Sequence, residues 1–185
     1  MKYFYAFIGL VLFSFLNCGD RQSDAKSKEN QEREQTSDIT TSTIENFRYN
    51  DYVLSAEANE ATSSWAEFVE LSNQIEFLKK ADISFFIQDE ETLKAFLTEF
   101  KENIPESINT NPVKARILVL ETRLLKLHND LTLDNIPKDE QLKSIKNLLE
   151  AKSNLNFVIN KKLEFEANDV GRQEVEEEPQ DSLGP

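Results

Sequence analysis

Val113, Ile117, Leu120, Leu124, Leu127 and Leu131 recur at intervals of four, three, four, three and four residues. At about 100° per residue this spacing gathers all six side chains on one face of an α-helix and leaves no two-residue alternation for a strand. Asn111 is the expected N-cap, with Pro112 at the first helical position, where a missing N–H costs nothing. The same periodicity returns elsewhere in the chain. Leu54, Ala58, Ala61, Trp65, Phe68 and Ile75 form a stripe that predicts one long helix. Leu93, Phe96, Leu97, Phe100 and Ile104 form a second, opening at Asp89 and ending at Pro105, because a residue before proline disfavours helical geometry. Leu142, Ile145, Leu148, Leu149, Leu155, Ile159 and Leu163 form the last, opened by Pro137, with Asp139 and Glu140 at the favourable end of the helix dipole.

Four amphipathic helices with short connections predict an all-α domain, an antiparallel four-helix bundle over residues 52–166. Three long helices with the second as a short packed bracket are the alternative. Only 4 Gly and 5 Pro occur in 185 residues, which argues against a turn-rich β protein and against glycine-rich phosphate loops. A hydrophobic share of 39% is enough for one core of this size and too little for two. With 21 Lys and Arg against 34 Asp and Glu, the formal charge is −13. Such a chain repels phosphate backbones and anionic bilayers, so no nucleic-acid partner is expected. One Cys and one His allow neither an internal disulfide nor a His/Cys zinc set. Neither cofactor nor metal is expected.

The first residues differ from the rest. Lys2 is the only charge before Asp20, and Tyr3–Leu16 is almost wholly apolar. A basic start followed by a short apolar run is the layout of a secretory signal peptide over residues 1–17, shorter than the ~20 apolar residues that a spanning helix needs. The only Cys, Cys18, closes that run. Phe15-Leu16-Asn17-Cys18 resembles the lipobox of bacterial lipoproteins, in a relaxed form like that of Bacteroidota: Asn17 stands where Gly, Ala or Ser is usual, and Phe15 where Leu is usual. An ordinary signal peptide, or a signal-anchor with Cys18 incidental, has the same layout. The resemblance implies cleavage before Cys18, lipidation of Cys18 and attachment to a bilayer through acyl chains, each buried methylene contributing ~0.8 kcal/mol. Gly19 after the Cys, by the same resemblance, favours the outer membrane.

Residues 19–46 hold only Ala25, Ile39 and Ile44 as aliphatic residues. Such a segment cannot bury enough apolar area to offset its ordering entropy, so residues 18–51 are expected to form a disordered polar tether. At the far end, residues 167–185, with Glu174, Glu176, Glu177 and Glu178, are expected to be a solvated acidic tail. The run Ile104-Pro105 through Asn111-Pro112-Val113-Lys114-Ala115-Arg116, then Leu120-Glu121-Thr122 and the Asn-rich last helix, resembles small helical lipoproteins of flavobacteria over about residues 52–165. That resemblance implies fold and location and carries no activity.

Chemistry is sparse. His128 is the sole imidazole and lies off the centre of its helix's apolar stripe. It is either a boundary residue or a partner of Asp130 or Glu121 in a metal or proton site, and a di-iron bundle, which needs two such histidines, is excluded. Arg116 and Arg123, seven apart on one flank, could clamp a carboxylate or phosphate, or pair with acids such as Glu67 or Glu70. Lys152 falls inside the apolar arc of its helix, where it snorkels, meets an acid or stands as a buried amine. Leu118 and Leu125 are also seven apart, away from the main stripe. Either their helix is central, the preferred reading, or they form a contact surface for a protein partner or a second copy. No catalytic constellation is found, so no enzyme is expected. The expected role is a non-enzymatic interaction or scaffold module on the cell envelope, with a small-ligand or ion-binding bundle as the alternative. A sizeable polar pocket would favour the second, and an exposed patch at Leu118 and Leu125 the first.

Overall fold

The computed structural model describes residues 39–176. The expected signal segment, Cys18, most of the tether and the end of the acidic tail lie outside these residues. Among the described residues there are six α-helices and no strand: α1 (Thr41–Glu45), α2 (Ala56–Thr62), α3 (Ala66–Lys79), α4 (Glu90–Glu102), α5 (Asn111–Thr132) and α6 (Lys138–Glu176). Short 3₁₀ turns at Ser84–Ile87 and Glu106–Ile108 join α3 to α4 and α4 to α5. None of the described helices is long and apolar enough to cross a membrane.

The two longest helices form an antiparallel hairpin. Asp130 on α5 meets Ser144 on α6 near the turn, and at the far end the Lys162 amine reaches the Ser107 carbonyl just ahead of α5. Their expected stripes face each other, with Val113, Ile117, Leu120, Leu124 and Leu127 buried against Ile145, Leu148, Leu149, Leu155 and Ile159. Each leucine or isoleucine buried in this way contributes ~1.5–3 kcal/mol. The cap of α5 falls one residue earlier than expected: Thr110 is the N-cap, and Asn111 and Pro112 occupy the first turn.

Three boundaries differ from the sequence reading. The long helix expected over residues 54–75 is broken at Ser63–Trp65, between α2 and α3. Thr62 and Ser63 turn their hydroxyls back onto the Ala58 and Glu60 carbonyls, the local competition that weakens helices at such residues. The break lets Trp65 drop fully into the core, where its Nε1 donates to the Phe100 carbonyl at 3.0 Å and its ring stacks on Phe68. Packing starts earlier than residue 52: Ile44 is buried at 3% exposure, and Ile39, Phe47 and Tyr49 lie against the core. At the other end α6 runs on to Glu176, past the expected boundary at 166.

One backbone position is unusual. Ala81 has φ 66°, in the left-handed region, closing α3 with hydrogen bonds from the Ala81 amide to the Leu78 carbonyl and from the Asp82 amide to the Phe77 carbonyl. That paired closure normally takes glycine, and a side chain there costs ~1 kcal/mol.

A polar cleft built around Lys152

The chain between α1 and α2 is laid in extended form along α6, and polar side chains of α6 hold it by its backbone. The Tyr52 amide donates to Ser153 Oγ at 2.7 Å, and Asn156 Nδ2 donates to the Tyr52 carbonyl at 2.8 Å. One turn on, Asn160 closes a two-way bond, accepting from the Ser55 amide at 2.9 Å and donating to the Val53 carbonyl at 2.8 Å. Ser153, Asn156 and Asn160 are spaced three and four apart, so they share one face of the helix and read a strap of backbone much as a neighbouring strand would. The signal for this, which periodicity alone does not decode, is the run of polar, poor helix formers interrupting the stripe of α6.

The strap, α2, α3 and α6 line an open cleft of about 570 Å³, a size suited to a small molecule. Lys152 of α6 lies in its wall with 6% of its surface exposed. Its Nζ donates to Asn156 Oδ1 at 2.7 Å and sits 4.1 Å from the centre of the Phe68 ring. Among the described residues no carboxylate pairs with it. The carboxylates nearest in charge, Asp51 and Glu76, are taken by Lys79, at 3.0 and 2.8 Å.

The two lysines of the cleft are driven in opposite directions. Burial pushes the Lys152 amine down to about 7, and the positive charge of Lys79 adds to the effect, while Asp51 and Glu76 oppose it. The Phe68 ring favours the ammonium form, yet a ring face contributes only ~0.5–2 kcal/mol, less than removing an ammonium from water without a counter-ion costs. Lys79 is also desolvated, but its hydrogen bonds to Glu76 and Asp51 outweigh that and hold it above the ordinary amine range. Burial beside Asp51 raises the Tyr49 phenol, which donates to Asp51 at 3.4 Å. The cleft thus presents one fixed cation, two anions, a neutral phenol and an amine poised between charged and free.

The other residues singled out by sequence lie elsewhere. His128 is buried, and its Nδ1 donates to the Phe86 carbonyl at 3.0 Å, since a carbonyl only accepts. Asp130 is held by Lys126 at 2.7 Å and by Ser144, and Glu121 by Lys101 at 2.6 Å, so neither partners His128. Arg116 is exposed and Arg123 half-buried. Neither lines the cleft, and the acids suggested as their partners are engaged otherwise, Glu67 with Asn103 and Glu70 with Gln74. Leu118 is 58% exposed, whereas Leu125 packs against the core. The line that joins them is therefore divided between solvent and core. Among the described residues no group of three or more His, Cys, Asp or Glu could hold a metal ion.

Comparison with protein-family models, curated proteins and solved structures finds no match for this chain. What the chain can do rests on the geometry of the cleft.

Proposed function

We propose that this chain is an envelope lipoprotein, anchored through an acylated Cys18 and carried on a polar tether, whose helical domain binds a small ligand in the Lys152 cleft. The helices form a bundle of four arms, with α2 and α3 as one broken arm, and the acidic end of the chain remains solvated beyond them. The lipobox-like Phe15–Cys18 segment supports the anchor, and Gly19 supports the outer membrane. Binding rather than turnover is the role, because the amine has neighbours that hold it but no general acid and base paired around a reacting centre.

The observation that carries this reading is the burial of an unpaired amine in the wall of a cleft large enough for a ligand. An interior amine without a counter-ion destabilises a fold, so a site that keeps one is better explained by binding than by packing. The interaction-module reading stays second, favoured by Leu118 and Val119 exposed side by side on α5. Saturation-transfer NMR with a library of small polar compounds separates the two. Compounds bound by the protein should be released in Ser72→Phe, which fills the cleft, and retained in Leu118→Ser. Identical binding in wild type and Ser72→Phe would reject the cleft.

A further inference from the structure

The chemistry of the Lys152 amine narrows the class of ligand. The side chain is held from two sides, by Asn156 Oδ1 and by the Phe68 ring, and opens onto the cleft on another. Across the cleft the charge of Lys79 adds to the effect of burial, and the two acids that oppose it, Asp51 and Glu76, make their ion pairs with Lys79 and not with Lys152. A lysine that is desolvated and set beside another cation is the arrangement that frees a nitrogen lone pair near neutral pH, and a free lone pair attacks carbonyl carbon. Ser72 and Asn73 of α3 and Asn59 of α2 supply hydroxyl and amide groups for the rest of such a ligand.

Resting on the ligand-cleft reading, we propose that the cleft captures small polar aldehydes as a reversible imine on Lys152 Nζ. The nitrogen lone pair forms the new N–C bond, and the carbonyl π pair moves to oxygen, giving a carbinolamine. The C–O bond then breaks and the oxygen leaves as water with the two protons that the amine gives up. The sum is amine plus aldehyde to imine plus water, with no oxidant or reductant. The burial of Lys152, with 6% of its surface exposed, shields the imine from hydrolysis.

The test is reductive trapping on the full chain purified in detergent, with glycolaldehyde and cyanoborohydride at pH 7 and adducts located by peptide mass mapping. At that pH an ordinary lysine has a free-amine fraction about a thousand-fold below that of an amine with a midpoint at neutrality. Part of this advantage is lost to lower intrinsic nucleophilicity, so Lys152 should be modified about ten-fold or more faster than the exposed Lys143 and Lys161. Its rate should rise to a plateau just above neutrality, whereas theirs should keep rising with pH. Ser72→Phe should slow Lys152 alone, and Lys152→Met should remove the fast site without altering the others. Adducts spread over exposed lysines with Lys152 untouched would overturn the proposal. If Lys152 is untouched while library compounds still bind wild type and not Ser72→Phe, the imine is refuted and the cleft reading stands. Loss of both refutes both.

Discussion

Replacing Lys152 by methionine should stabilise the domain, by an amount that depends on pH. Methionine keeps most of the apolar stem, places a thioether near the Phe68 ring, and removes the amine that burial holds near 7. In the unfolded chain the same amine titrates near 10.5. Between these values the unfolded state binds more protons than the folded one, so wild-type stability rises with pH through this window. Below about pH 7 the lysine is charged in both states and the full penalty is present; above about 10.5 it is neutral in both and the penalty is gone. Integrated between pH 7 and 10.5, the linkage amounts to about 4 kcal/mol as an upper figure. Asn156 loses its donor in the variant, which reduces the gain at neutral pH to about 2–3 kcal/mol. Tyr49 and Lys79 are both held above their ordinary values in the folded protein and are present in variant and wild type alike, so the difference between the two reports mainly on Lys152. Urea unfolding followed by Trp65, the sole tryptophan, measures it. The variant's advantage should be largest at pH 7 and fade toward pH 10. A less stable variant at pH 7, or a pH-independent difference, would refute the argument that Lys152 is an uncompensated buried amine.

Three further outcomes follow from other parts of the chain. Asn160→Ala should leave the Val53 carbonyl and Ser55 amide without partners, costing about 1–3 kcal/mol and opening the strap to protease cleavage near residues 50–55; uncut protein would count against the α6 face as its anchor. Leu118→Ala should change stability by less than about 1 kcal/mol, and Leu125→Ala should lower it by about 1–3 kcal/mol, by denaturant melts of each; equal losses would contradict the divided line on α5. Cys18→Ala should abolish incorporation of labelled palmitate and leave unprocessed precursor, and equal labelling would remove the anchor.

The helices were legible because each carries a strong stripe: every apolar position expected on the inner faces of α5 and α6 is buried or packed on the core. The break at Ser63–Trp65 was not, because Trp65 keeps the helical spacing of its stripe while its indole N–H needs a carbonyl that only α4 provides. Ile39 and Ile44 looked too sparse to fold by themselves, and they do not: they pack on a core that the later helices build. Lys152 was visible as a charge in an apolar arc, but not its lack of an acid. That depends on Lys79 taking Asp51 and Glu76 first, a pairing between residues 28 apart and three apart that no spacing rule ranks. The cleft itself was illegible, since it exists only once the strap is tied to Ser153, Asn156 and Asn160.

The state of the Lys152 amine can be read directly. Heteronuclear NMR titration of the lysine side-chain Cε resonances, assigned by loss of one signal in Lys152→Met, follows each amine through its own midpoint. The account predicts one lysine titrating near 7, apart from all the others, and moving on addition of a cleft-binding compound. All lysines titrating together near 10.5 would contradict it.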